Sequence, residues 1–180
     1  ISKGEIKKTT NSKIDTKFYK SILSEKDLDK LIKILNEKSL ISIDTETSSL
    51  NPMEAELVGI SLSYAPNEAF YIPLAHKKIK SIKKEIILKK IKPILEDPSI
   101  KKVGQNIKFD FIFLKKNGIQ INPIDDTMLI SYTLDAGVNR HNMDTLSEIH
   151  LGHKTITFKE LVGTGKNKLN FSDIDVAKAT

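Results

Sequence analysis

Asp44 and Glu46 are two carboxylates one residue apart inside Ile41-Ser-Ile-Asp-Thr-Glu-Thr-Ser-Ser-Leu50, a segment whose isoleucines alternate. In a strand, alternate side chains share a face, so Ile41, Ile43 and Thr45 point one way and Ser42, Asp44 and Glu46 the other. Two ionised carboxylates roughly 7 Å apart on one face repel each other, and burial adds to the cost unless a cation neutralises them. Mg²⁺ or Mn²⁺ would suit the pair. Such hard cations take carboxylate and water oxygens, and need few protein ligands where a substrate supplies phosphate oxygens. The chain has no cysteine, so any metal must be held by oxygen or by one of four histidines. Taken alone, an Asp-x-Glu pair reads first as the solvated end of an ordinary strand.

A third acid, Asp110, closes Val103-Gly-Gln-Asn-Ile-Lys-Phe-Asp110. This stretch reads as a strand end running into the first turns of a helix. An acid there has a simple role, since negative charge near a helix N-terminus is stabilising by about 0.3–1 kcal/mol. Strand ends that lead into helices are also where open α/β sheets assemble sites. Asp110 could therefore meet Asp44 and Glu46 around two ions, the arrangement of a two-metal phosphodiester site.

The elements that must position these acids follow from apolar spacing. Ser24 caps a helix with Leu28, Leu31, Ile32 and Leu35 on one stripe. The acidic strand spans about 40–47, and Asn51-Pro52 turns the chain. Strands over Leu57–Tyr64 and Glu68–Leu74 complete an antiparallel meander. Ile86 to Leu95 marks a helix with Pro93 near its end, before a strand at Lys101–Gly104. A helix is expected from Asn106 to Lys116 with Gly118 as its stop, then a strand within Ile119–Ile124 and a helix from near Asp126. Met143–Leu151 and Phe158–Val162 read as short helices, and Asp173 and Asp175 as caps of one starting near Ser172. A meander followed by strand, helix and strand predicts an α/β fold with a mixed sheet.

A length of 180 residues, 39% hydrophobic and 29% charged, suits a single domain with one core. Residues 1–17, rich in Lys, Thr and Ser, read as a linker or disordered lead-in, leaving 18–180 as the domain. No apolar run reaches the ~18 residues of a membrane span and no secretory leader is visible, so the reading is cytoplasmic, with no membrane partner. The net charge of +6 is compatible with a polyanion, and equally with a lysine bias of the source, since Arg140 is the one arginine.

Asp44-Thr-Glu46-Thr-Ser-Ser-Leu50, Gly104-Gln-Asn-Ile-Lys-Phe-Asp110, Asp126-Thr-Met-Leu, His141-Asn-Met-Asp-Thr-Leu146 and Lys154-Thr-Ile-Thr-Phe158 occur in the order found in one family. From about Lys17 to its last residue the chain resembles the 3′-5′ exonuclease domain of bacterial DNA polymerase I. The resemblance implies an RNase H-like, DnaQ-type fold, in agreement with the mixed sheet read above. It implies a metal-dependent enzyme that trims single-stranded or frayed DNA 3′ ends to nucleoside 5′-monophosphates in proofreading, alongside a covalently linked polymerase domain. Asp44, Glu46 and Asp110 would be the catalytic metal ligands, for two Mg²⁺ or Mn²⁺ ions with Zn²⁺ as an alternative at one position. Leu50 would wedge against the terminal base. Thr45, Gln105, Asn106 and Phe109 would contact the strand, with Phe109 standing where many relatives have tyrosine. Phe158 is a further DNA contact candidate, with core packing its simpler role.

One departure stands out. The family's third motif, Tyr-x-x-x-Asp, should begin just after Ala179, and the sequence ends at Thr180, so the resemblance implies an incomplete site. Two other readings stay open: an inert exonuclease-fold module supporting a polymerase, and an RNA-trimming relative. Gly163-Thr-Gly-Lys166 is not a phosphate loop, because Glu160 and Asn167 stand where glycine and Ser or Thr are needed. His150 and His153 read as a surface pair and His76 as structural. Arg140 and His141 lie at a helix boundary or approach the substrate backbone.

Overall fold

Short apolar runs between turn residues build a six-stranded mixed sheet in the computed structural model, which describes residues 14–49, 51, 53–165 and 168–180. The strands are β1 (Lys20–Ser21), β2 (Leu40–Thr47), β3 (Leu57–Ala65), β4 (Glu68–Pro73), β5 (Lys101–Gly104) and β6 (Ile124–Asp126). Their spatial order is β1-β4-β3-β2-β5-β6. β2, β3 and β4 form the expected antiparallel meander, while β5 and β6 add to it in parallel and β1 pairs in parallel with β4. The helices are α1 (Glu25–Leu35), α2 (Lys84–Glu96), α3 (Lys108–Lys116), α4 (Thr127–Leu134), α5 (Met143–Leu151), α6 (Phe158–Val162) and α7 (Val176–Ala179).

One face of the sheet buries Ile41, Ile43, Ile60, Leu62 and Ile72 beneath the apolar sides of α1, α2 and α3. A smaller core on the other face joins Val58 and Tyr71 to Val162, Phe171, Ile174 and Val176. Asp44 and Glu46 therefore open on that second side, opposite the isoleucines. A register shift between Glu46 and Thr47 leaves Val58 as the extra residue on β3, and such bulges bend a strand and re-aim its side chains. Beside Glu46 lies Gly59, where a Cβ would stand 1.9 Å from the Tyr71 hydroxyl. Glycine there lets the Tyr71 ring lie flat over the strand.

Three expectations need correction. The strand sought within Ile119–Ile124 forms only at Ile124–Asp126; Ile119 and Ile121 enter the core from irregular chain instead. α3 begins at Lys108 rather than Asn106, because Asn106 takes a left-handed conformation (φ 57°). Asp175 caps α7 from Val176, whereas Asp173 pairs with Lys77 at 2.8 Å and ends a short 3-10 turn, Phe171–Asp173. Residues 1–13 of the expected lead-in lie outside the described residues, and Asp15 caps a 3-10 turn at Thr16–Phe18. Among the described residues no helix is long and apolar enough to cross a membrane.

Candidate active site

Strand alternation delivers Asp44 and Glu46 to the C-terminal end of β2, and the first turn of α3 delivers Asp110 to the same end. Asp44, Thr45, Glu46, Gln105, Asn106, Phe109, Asp110 and Phe158 all line one open cleft of about 440 Å³, with Thr47, Ser48, Ser49 and Lys168 on its rim. Leu50, the expected wedge, lies outside the described residues, as does Lys166.

Asp110 is buried, and its Oδ1 accepts from the Thr45 backbone N–H at 2.8 Å and from Thr45 Oγ1 at 2.6 Å. Burial raises its pKa most, the Thr45 bonds pull it down, and the nearby charge of Asp126 pushes it up. The net direction for Asp110 is upward, and its charge when ionised opposes ionisation of its neighbours. Burial, then the charge of Asp110, pushes Asp44 up to about 7. Glu46 is pushed up to about 8 by burial, then by Asp44 and Asp110. By surface area Asp44 is nonetheless exposed, so solvent screens this effect and its rise is smaller than burial alone would give. A cation entering the cleft would reverse the electrostatics.

Among the described residues no three His, Cys, Asp or Glu side chains are gathered closely enough to hold a metal ion. All three acids nevertheless line the one cleft, and the family resemblance implies a ligand set that lacks its third motif. The cleft lining fits a hard divalent ion in kind, being carboxylate and hydroxyl oxygen without histidine or cysteine. It offers zinc none of its usual nitrogen or sulfur ligands.

Gln105 differs from expectation. Its amide Nε2 donates to the His141 carbonyl at 2.7 Å and its Oε1 accepts from Thr127 Oγ1 at 2.6 Å, so both ends are engaged inside the protein. Asn106 Oδ1, by contrast, is enclosed without a hydrogen-bond partner among the described residues. Phe158 is not core: it is 54% exposed, stacks on Phe171 at 6.3 Å and carries Lys168 Nζ 5.7 Å above its ring. His141 has a boundary role, its Nδ1 lying 2.9 Å from Ser131 Oγ. His76 is structural. Its Nδ1 faces only an acceptor, the Ile174 carbonyl at 3.0 Å, so Nδ1 carries the proton and Tyr71 donates to Nε2 at 2.7 Å.

Sequence reasoning missed the supporting part of Asp126. This buried carboxylate accepts from the backbone N–H of Asn106 and of Ile107, both at 3.0 Å, and of Met128 at 2.9 Å. It thus ties the β5–α3 turn to the start of α4. Its position before Thr127-Met-Leu signals a cap, but not the bonds across the chain.

Comparison with known proteins adds to this geometry. A family model described as 3′-5′ exonuclease matches residues 19–174. DNA polymerase I of Rhizobium leguminosarum is 41% identical over 186 residues, covering 92% of this chain and 18% of the relative. The Pseudomonas aeruginosa and Borreliella burgdorferi DNA polymerases I are 37% and 41% identical, covering 98% and 96% of this chain and 20% and 19% of theirs. The chain thus spans about a fifth of the length of these relatives. In fold it is similar to Escherichia coli RNase D (TM-score 0.64, 20% identity, 81% of this chain and 36% of that one). It is also similar to Brucella melitensis NrnC with bound Mg²⁺ (TM-score 0.60, 20% identity, 82% of this chain and 68% of that one).

Proposed function

Because the chain belongs to the 3′-5′ exonuclease family found in DNA polymerase I, we propose that it hydrolyses single-stranded or frayed DNA 3′ ends, releasing nucleoside 5′-monophosphates, as the proofreading unit of a longer polymerase. The observation that carries this reading is the gathering of acids and strand-contact candidates from β2, the β5–α3 turn and α6 in one cleft. Asp44, Glu46 and Asp110 would hold Mg²⁺ or Mn²⁺, and the Mg²⁺ bound by NrnC, a protein of this fold, supports that assignment. Divalent ions at such a site supply Lewis acidity and positive charge for phosphodiester hydrolysis.

The chain's own residues supply the rest. Thr45 fixes the Asp110 carboxylate, and Asp126 fixes the turn that carries Asn106 and leads into α3, where Phe109 lies. Phe158 and Phe109 offer π faces to unpaired bases, a sequence-tolerant mode suited to an enzyme that must accept any terminal nucleotide. Selection for mismatched ends follows from fraying, since an unpaired end reaches the cleft more readily. In a longer chain a Tyr-x-x-x-Asp segment after α7 would add the further ligand that the family resemblance implies.

The test is digestion of a 5′-labelled oligonucleotide with Mg²⁺ or Mn²⁺, by this chain and by one extended through Tyr-x-x-x-Asp. The expected result is a ladder shortening from the 3′ end, stronger in the extended chain and abolished by Asp44→Ala. Undiminished hydrolysis by that variant rejects the assignment.

A further inference from the structure

Five lysines and no acid occupy Lys77-Lys78-Ile-Lys80-Ser-Ile-Lys83-Lys84, the connection from β4 to α2. Topology fixes where this segment lies. Glu46 pairs with Gly59 and Gly59 with Pro73, so the C-terminal end of β4 lies at the end of the sheet that carries the acids. α2 leads into β5, which runs parallel to β2, so α2 ends at the far edge and starts at the acid end. The lysine segment therefore crosses the sheet end that bears the cleft, two strands away from Asp44.

Direct contacts join it to the cleft wall. Lys168 lies over Phe158, Phe158 stacks on Phe171, and Phe171 meets the His76 ring at 6.0 Å. Lys77 then donates its backbone N–H to the Ser172 carbonyl at 3.0 Å and pairs through Nζ with Asp173. Lys77 is thus engaged. Lys78, Lys80 and Lys83 are exposed, and no carboxylate lies within ion-pair distance of them among the described residues. Asp173, which also feels the charge of Lys78, and the cleft acids Asp44, Glu46 and Asp110 are negative groups at this end, and they bound the positive strip.

We infer that Lys78, Lys80 and Lys83, continued by Lys168 at the cleft, form a track for the phosphates of the single DNA strand whose 3′ end occupies the cleft. The inference rests on the exonuclease reading and adds the surface that holds the strand behind the terminal nucleotide. A single strand suits the feature: its backbone is flexible enough to follow a curved sheet end, and lysines grip phosphates as point charges without regard to sequence.

The test is fluorescence anisotropy with 5′-fluorescein oligothymidylates of 4 and 16 nucleotides, in EDTA, across a salt series. In the wild type the 16-mer binds more tightly than the 4-mer. In K78Q/K80Q/K83Q the 16-mer weakens about tenfold at low salt, the slope of log K against log salt drops by about 2, and 4-mer binding is unchanged. The triple arginine variant keeps the wild-type slope. A control with equal charge loss, K26Q/K33Q/K89Q, leaves the slope alone. Wild-type slope in K78Q/K80Q/K83Q, or an equal drop in the control, overturns the track while leaving the exonuclease reading intact. Failure of the wild type to bind the 16-mer more tightly than the 4-mer also overturns the track, whereas the exonuclease reading falls only with the digestion test.

Discussion

At the scale of single residues, the acids of the cleft are held in a state that the fold alone does not favour. Burial and mutual charge push Asp44 up to about 7 and Glu46 up to about 8. Both folded values lie above the unfolded carboxylate range, so the native state binds more protons than the unfolded chain at intermediate pH. Stability from these groups is complete below about pH 4 and is lost as pH rises through 7 and 8. The metal-free protein should therefore melt at lower temperature at pH 8.5 than at pH 5.5. After discounting for solvent at Asp44, the effect is about 1 kcal/mol, or roughly 2–4 °C in Tm. Scanning calorimetry in EDTA checks this, and D44N/E46Q should flatten the dependence; a Tm that rises over that interval would contradict the assigned burial. The pair itself was legible in the sequence because strand alternation needs no tertiary knowledge. The engagement of Gln105 by His141 and Thr127 was not, because its partners are 36 and 22 residues away along the chain.

At the scale of elements, legibility followed regularity. β2, β5, α5 and α6 lie where apolar spacing predicts them. β1 has only two residues, too few to establish a period, and β6 is hidden because Ile119 and Ile121 imitate strand alternation while packing from irregular chain. Lys102 shows a related blindness. It is fully buried in β5, its Nζ donating to the carbonyls of Asp97 at 2.8 Å and Asn122 at 2.5 Å, a role that residue type alone does not signal. The junction most relevant to function is Asp126, where β6 ends, α4 begins and the β5–α3 turn is pinned. Asp126→Ala leaves the Asn106, Ile107 and Met128 N–H groups without their acceptor, at a cost of about 2–4 kcal/mol. Asp126→Asn keeps one acceptor oxygen and should cost about half as much. Urea denaturation measures both; equal stability of the alanine variant and the wild type would remove Asp126 from the architecture of the site.

At the scale of the whole molecule, the fold collects like charges at one sheet end, with Asp110 held by Thr45 and Asp44 and Glu46 facing the cleft. Such an arrangement converts ligand binding into folding stability: any cation that binds the native cleft and not the unfolded chain stabilises by RT ln(1 + [L]/Kd). Asp44, Glu46 and Asp110 are the carboxylates that line the cleft among the described residues, and the family resemblance implies one further ligand beyond them. On that resemblance, a chain extended through Tyr-x-x-x-Asp would bring one more carboxylate to the acid face. Mn²⁺ at a hundredfold excess over its Kd should then stabilise the extended chain by about 2.7 kcal/mol, raising Tm by roughly 5–10 °C, while the same concentration moves the 180-residue chain much less. Asp44→Ala should abolish the shift in both, and Ca²⁺, which prefers more numerous and more distant oxygens, should give a smaller one. Thermal melts with and without EDTA decide the matter. Equal shifts in the Asp44→Ala variant would place the ion elsewhere on the molecule, and no shift in the extended chain would mean that these acids serve the fold without holding a metal.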